Sequence, residues 1–219
     1  MTFLKKIKQA KNLIKEYLSK YPRTAIACSF GKDSMVLYHL CRSVKKDIPV
    51  VCIMTPFKFP VTYKYKDKMI KKYKMNVIEK RREENKDKLE WWKENPHECC
   101  NYYKVESMNE LLQSYDCWFA GLRRDEGATR AIMEFVVNDR FGKIKVNPIL
   151  LFTERDIWRY LALYRIPVNP MYKKGYRSLG CQPCSHKERT ECEGERDGRW
   201  RGTVKQGGEC GIHGCSINQ

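Results

Sequence analysis

Apolar residues at Leu4, Ile7, Ala10, Leu13, Ile14, Tyr17 and Leu18 recur at the three- and four-residue spacing of a helix with one buried face, and Pro22 ends it. Two short β-favouring runs follow, at 24–29 and 49–54, separated by a helical pattern through Met35, Val36, Leu37 and Leu40. Strand, helix, strand in that order is a βαβ unit, which implies parallel pairing. The pattern continues as a helix over 60–74, a strand over 75–79 and a passage from loop into helix at Leu89-Glu90-Trp91-Trp92. Next come a helix over 99–114, strands over 116–121 and 144–147, and a helix over 154–164 capped by Thr153. Such alternation predicts an α/β fold with a doubly wound, mostly parallel sheet, whose ligand crevice lies outside the carboxyl ends of the strands.

From about Gly175 the texture changes. Gly, Cys, Arg and Glu dominate and apolar periodicity disappears, so the chain divides into an α/β domain over 1–175 and an irregular, cysteine-rich tail over 176–219, held by ligands and not by a core of its own. There is no internal repeat.

The chain has 219 residues, enough for one sizeable core. It contains no run of about 18 apolar residues and opens on a basic amphipathic helix with no leader pattern, so a cytoplasmic protein with no membrane contact is expected. Lys and Arg number 43 against 26 Asp and Glu, a formal charge of +17. That balance suits acidic small molecules or nucleic acid, but Lys64, Lys66, Lys68, Lys71, Lys72 and Lys74 crowd one helical segment and account for part of it as solvated surface.

The loop Ser29-Phe30-Gly31-Lys32-Asp33-Ser34 stands between the first strand and the helix after it. Free backbone N–H groups and the helix dipole favour an anion there, and Ser29, Lys32 and Ser34 add donors, so a phosphate is the natural guest. Arg123 and Arg124 follow the 116–121 strand and so belong at the crevice mouth. A second basic group, Arg196, Arg199 and Arg201 around Trp200, lies in the tail. Planar guanidinium forks suit phosphate or sulfate oxygens.

Eleven cysteines are many for a chain of this size. Cys28, Cys41, Cys52 and Cys117 lie in apolar segments as small hydrophobes. Cys99-Cys100 and Cys181-Gln182-Pro183-Cys184 are patterned, and in a reducing compartment such pairs argue for metal or redox chemistry. Two pairs of thiolates can enclose a tetrahedral zinc or an iron–sulfur cluster; adjacent cysteines fit a zinc turn poorly and reach two corners of a cluster more easily. Lys104, one turn beyond Cys100, would offset the negative charge of such a centre. Cys210, flanked by glycines near the end of the tail and three residues before His213, is placed to visit an active site and leave it; a fifth metal ligand or a terminal thiol without a role is the alternative.

These fragments, taken in order, resemble the assimilatory adenylylsulfate and phosphoadenylylsulfate reductases, in particular the iron–sulfur type that uses adenylylsulfate (APS). The resemblance rests on Ser29 to Ser34, Phe59-Pro60-Val61-Thr62-Tyr63, Cys99-Cys100 with Lys104, and Gly121-Leu122-Arg123-Arg124-Asp125 with Thr129-Arg130-Ala131. It continues through Asn169 to Gly180, Cys181 to Cys184, Glu195-Arg196-Asp197-Gly198-Arg199-Trp200 and Glu209-Cys210-Gly211-Ile212-His213. It implies an adenine-nucleotide alpha hydrolase-like fold and a [4Fe-4S] cluster on Cys99, Cys100, Cys181 and Cys184 with Lys104 beside it. It further implies that Cys210 attacks the sulfur of the substrate, assisted by His213, with thioredoxin or glutaredoxin releasing sulfite. Ser29, Phe30, Gly31, Lys32, Asp33 and Ser34 would hold the nucleotide, and Arg123, Arg124, Arg196, Arg199 and Trp200 the phosphosulfate. A homo-oligomer is compatible with all of this.

Gly31-Lys32-Asp33-Ser34 departs from the usual loop of these reductases and is closer to that of enzymes that cleave ATP between its α and β phosphates. It supports a second reading, an ATP-consuming iron–sulfur enzyme that transfers sulfur to nucleic acid, and a third, a redox-sensing nucleotide-binding module. The Glu-Cys-Gly-Ile-His tail, which also carries Cys215 beyond it, is a feature that the reductase needs and that the other two readings do not evidently call for.

Overall fold

The computed structural model describes residues 1–84, 90–187 and 194–213. Leu89, Cys192, Cys215 and the chain after His213 lie outside the described residues. Six strands, β1 Thr24–Ala27, β2 Val50–Met54, β3 Val77–Arg81, β4 Cys117–Phe119, β5 Val136–Asn138 and β6 Ile144–Val146, form one sheet in the order β3-β2-β1-β4-β6-β5. All neighbours are parallel except β5 and β6. The helices are α1 Phe3–Lys20, α2 Lys32–Val44, α3 Pro60–Tyr73, α4 Trp91–Glu94, α5 Pro96–Cys100, α6 Ser107–Leu112, α7 Ala128–Ala131 and α8 Glu154–Leu163.

The central strands β1, β2 and β4 each serve two cores because their side chains alternate between faces. Ile26, Cys117 and Phe119 join a large cluster with Ile14, Val36 and Leu37, while Ala25 and Trp118 turn to the other face and pack with Val105, Met108 and Leu112. Burial on both faces is why these strands read as continuous apolar runs. The sheet order reverses between β1 and β4, which diverge from their shared edge toward β2 and β6. A crevice outside the carboxyl ends of β1 and β4 is the consequence.

Three elements differ from the sequence pattern. β5 is absent from it, because three residues paired antiparallel at a sheet edge are too short to carry a periodic signal. The strand expected over 75–79 forms two residues later, as β3. The single helix expected over 99–114 starts earlier, at Pro96 with the Asn95 side chain accepting from the Glu98 N–H at 3.2 Å, and is interrupted by a π-helical stretch, Asn101–Glu106. That wider turn buries three consecutive residues, Tyr103, Lys104 and Val105, which a regular helix would spread around its circumference.

The chain after Gly175 returns across the carboxyl edge of the sheet. Lys58 pairs with Cys181 and Ser185 with Arg199 in isolated antiparallel bridges, and Trp200 is fully buried. No described helix is long and apolar enough to cross a membrane.

Candidate active site

The helix after β1 starts earlier than the apolar pattern suggests, so Lys32, Asp33 and Ser34 form the first turn of α2 behind the N-cap residue Gly31. Phe30 just before it adopts a left-handed conformation (φ 58°) with its ring in the core. A bulky residue there is strained, and such strain persists only where packing imposes it. Gly121, after β4, touches this turn: a Cβ at 121 would sit 3.2 Å from Cα and N of Ser34. The close approach brings the β1 and β4 loops together at the crevice.

Lys32 is buried, and its ammonium donates to Glu195 Oε1 at 2.5 Å and to the Arg177 carbonyl at 2.6 Å. Burial alone would lower the pKa of this lysine, but Asp33 and Glu195 beside it raise it above the ordinary value. Arg123, with no exposed surface, donates through Nε to Asp33 at 2.6 Å and through Nη2 to both oxygens of Glu195 at 2.8 and 2.6 Å. Arg130 donates to Glu126 and, through Nε at 2.7 Å, to Glu209; Arg196 reaches the same Glu209 at 3.0 Å. Burial would raise the Glu209 carboxyl, but the two guanidinium groups hold it down at about 2. The network ties α2, the segment after β4, the tail around 195 and the residue before Cys210 into one unit. It also accounts for the one group of three or more ligating atoms within 4.8 Å of each other among the described residues, Asp33, Glu126 and Glu195. Their charge is met by Lys32, Arg123 and Arg130.

Cys99, Cys100, Cys181 and Cys184 are all buried and line one small pocket with Phe57, Trp92, Tyr103 and Lys104. No three of their sulfurs lie within 4.8 Å of each other, whereas a tetrahedral zinc with bonds of ~2.3 Å needs sulfurs ~3.8 Å apart. Lys104 Nζ lies 3.8 Å from Cys100 Sγ. Burial raises the Cys181 thiol, but Lys104 and Lys58 outweigh it and the net shift is downward, toward the thiolate a metal centre needs. Trp200 packs on Cys100, Cys181 and Cys184, with Lys104, Arg196, Arg199 and Lys205 ranged 4.4–5.8 Å from its ring, and its buried Nε1 has no partner among the described residues.

Lys104 also lines the main cleft, beside Cys210, which is half-buried. The Ser29 and Ser34 hydroxyls, Gly31, Gly121, Arg199 and His213 line it as well. Thus the β1 loop and the tail thiol meet on the main cleft, which shares Lys104 with the four-cysteine pocket.

Residues 23–187 match the phosphoadenosine phosphosulfate reductase domain. The chain belongs to that family. It is 39% identical over 197 residues to adenosine 5'-phosphosulfate reductase 1 of Bacillus subtilis, covering 85% of this chain and 82% of the relative. In fold it is similar to phosphoadenylyl-sulfate reductase from Candida auris, solved as a phosphate complex (TM-score 0.70, 19% identity, 80% of this chain and 89% of that one). It is also similar to the FMN adenylyltransferase of Candida glabrata, solved with FAD and inorganic pyrophosphate (TM-score 0.69, 16% identity, 88% and 69%). The sheet is of the adenine-nucleotide alpha hydrolase-like type.

Within this family frame, the structure gathers Ser29, Gly31, Lys32, Asp33, Ser34, Arg196, Arg199, Trp200, Cys210 and His213 on the cleft. Three residues singled out from the sequence are placed differently. Arg124 is exposed, with Nε donating to the Met133 carbonyl at 2.9 Å. Phe30 faces the core, and Arg123 is enclosed behind the cleft by its carboxylates. His213 stacks on Trp118 at 5.9 Å, with Nδ1 buried and unpartnered; burial and the nearby Arg130 and Lys145 push its pKa well down, so it is neutral near pH 7. Sequence reasoning missed Glu195 and Glu209 as partners of these cations, Arg130 as their anchor, Tyr172, whose hydroxyl accepts from the Lys32 N–H at 2.8 Å, and Lys58 in the cleft wall. Glu195, Arg130 and Glu209 lay inside quoted motifs, but pairing across the chain leaves no local signal.

Proposed function

We propose that this chain is a thiol-dependent reductase that converts adenylylsulfate to sulfite and AMP. The observation that carries the reading is Cys210 on the wall of the crevice that the β1 loop lines, beside Lys104 and Arg199, cations with no carboxylate partner among the described residues. The nucleotide phosphate is held at the N-terminus of α2 by Ser29, Ser34 and the backbone N–H groups of the loop. Arg196, Arg199 and Lys104 face the phosphosulfate and disperse its charge. The Cys210 thiolate attacks the sulfate sulfur; a new S–S bond forms, the S–O bond to the phosphate breaks, and its electron pair leaves on AMP. The S-sulfocysteine is resolved by an external dithiol of thioredoxin or glutaredoxin. One thiolate attacks Cys210 Sγ and expels sulfite, the second closes the donor's disulfide, and the donor supplies the two electrons. His213, neutral on the cleft wall it shares with Cys210, offers its Nδ1, which has no partner among the described residues, as an acceptor for the thiol proton.

Four buried thiols lining one pocket, the lowered Cys181 and the buried Trp200 Nε1, without a partner among the described residues, fit an iron–sulfur cluster. Cys99, Cys100, Cys181 and Cys184 would hold it, and it would supply fixed charge beside the sulfate subsite. Adenylylsulfate is preferred to its 3'-phosphorylated form because the curated relatives carry that substrate in their names and because this four-cysteine pattern goes with it. With Lys32 donating to Glu195 and Arg177, the loop's lysine is not offered to a triphosphate, which speaks against ATP cleavage. The test is mass spectrometry of anaerobically purified protein incubated with adenylylsulfate and no reductant. A sulfonate adduct on Cys210 that thioredoxin removes is expected; no adduct, or the same adduct on Cys210→Ser, would overturn the reading.

A further inference from the structure

Lys58 belongs to none of the chemistry-bearing motifs, yet its backbone is pinned at the cleft. Its N–H donates to the Thr55 carbonyl at 3.3 Å, the Phe57 carbonyl before it accepts from Gln182 at 2.6 Å, and Lys58 itself pairs with Cys181 in an antiparallel bridge. The half-buried side chain lines the cleft with Lys104, Arg199 and Cys210.

Charge balance separates this corner from the rest of the site. Lys32, Arg123, Arg130 and Arg196 each have a carboxylate within 4.0 Å. Among the described residues Lys58, Lys104 and Arg199 have none; besides the Cys181 thiol, the charged neighbours of Lys58 include the other two cations. Three like charges in a partly desolvated wall repel one another until an anion enters between them. The nucleotide phosphate is served by the α2 N-terminus, whereas this corner adjoins the thiol that must reach the sulfur.

We infer that Lys58 is a substrate-binding residue for the sulfate end of adenylylsulfate, completing with Lys104 and Arg199 a three-cation subsite facing Cys210. This rests on the reductase reading above and adds to it a residue that the motifs do not contain. The rival role for the same ammonium is to balance the charge of the Cys181 thiolate alone, with no contact to substrate.

The experiment measures equilibrium binding of adenylylsulfate and of AMP, which lacks the sulfate, to anaerobically purified Cys210→Ser protein with and without Lys58→Met. Adenylylsulfate affinity is expected to fall about 10- to 100-fold, as for loss of a charged hydrogen bond, while AMP affinity changes less than about threefold. Lys58→Arg should restore most of the difference. An unchanged ratio of the two affinities, whether or not bound iron is lost, would overturn the inference and leave Lys58 a structural or charge-balancing role. Failure of protein with Cys210 and Lys58 intact to form sulfite would overturn the reductase reading itself, and that result is separable because it involves no Lys58 variant.

Discussion

Glu209 accepts from Nε of Arg130 at 2.7 Å and from Nη2 at 3.1 Å, a two-pronged ion pair between residues 79 positions apart. The next residue is Cys210, so this pair and the Arg196 contact fix where the thiol stands. A tail that brings a nucleophile to a site and later presents it to another protein needs a hold that is firm but reversible, and a partly exposed ion pair provides one.

Glu209→Gln should loosen that hold without breaking the core. Alkylation of Cys210 by a small haloacetamide is expected to accelerate roughly tenfold, the equivalent of about 1.4 kcal/mol. The pH dependence has a defined sign. The Glu209 carboxyl falls from the ordinary 4.5 to about 2, so its contribution is fully present above 4.5 and is lost as the pH falls toward 2. The difference in alkylation rate between wild type and variant should therefore shrink across that window; a difference that stays constant down to pH 2 would count against the pair.

Lys32→Met tests whether the loop's lysine serves the fold or the ligand. Because its ammonium bonds Glu195 and the Arg177 carbonyl, its loss leaves buried acceptors short of a partner and should cost roughly 2–4 kcal/mol. Thermal melts should show it as a drop of several degrees. AMP affinity of the folded protein, measured by calorimetry, should change little; a large loss of affinity with an unchanged melt would return Lys32 to the phosphate.

Gly121→Ala puts a methyl 3.2 Å from Cα and N of Ser34 and 3.3 Å from the Asp33 carbonyl carbon. All three are backbone atoms of the first turn of α2, with no flexible end to yield. Destabilisation of about 1–3 kcal/mol is expected, accompanied by weaker AMP binding as the turn is pushed from β4. Urea melts and nucleotide titration read the two effects, and a variant with wild-type values for both would show that the loops can part freely.

Cys184→Ser should remove iron and acid-labile sulfide together from anaerobically prepared protein, while Cys41→Ala, in the main core, keeps both. Zinc in place of iron in the wild-type protein, or iron retained by the serine variant, would refute the ligand set.

The alternation of helices and strands already determines the α/β class, the mostly parallel sheet and the position of the Ser29–Ser34 loop at its carboxyl edge, because 2.0 and 3.6 periodicities are local properties of the chain. The paired cysteines and the Glu-Cys-Gly-Ile-His tail likewise state their chemistry locally, through spacing and residue type. What only the tertiary structure decides is which charges meet. Arg123 looks like Arg199 in sequence, yet Arg123 is satisfied by Glu195 and Asp33 behind the cleft, whereas Arg199 lines the cleft with no carboxylate partner among the described residues. Arg124, adjacent to Arg123, points away altogether because the extended Arg123 is followed by the 3-10 turn Arg124–Glu126, whose first residue turns outward to the Met133 carbonyl. Ion pairing is set by distances between residues far apart in the chain, so the same arginine is a strut or a ligand according to where the fold returns the tail.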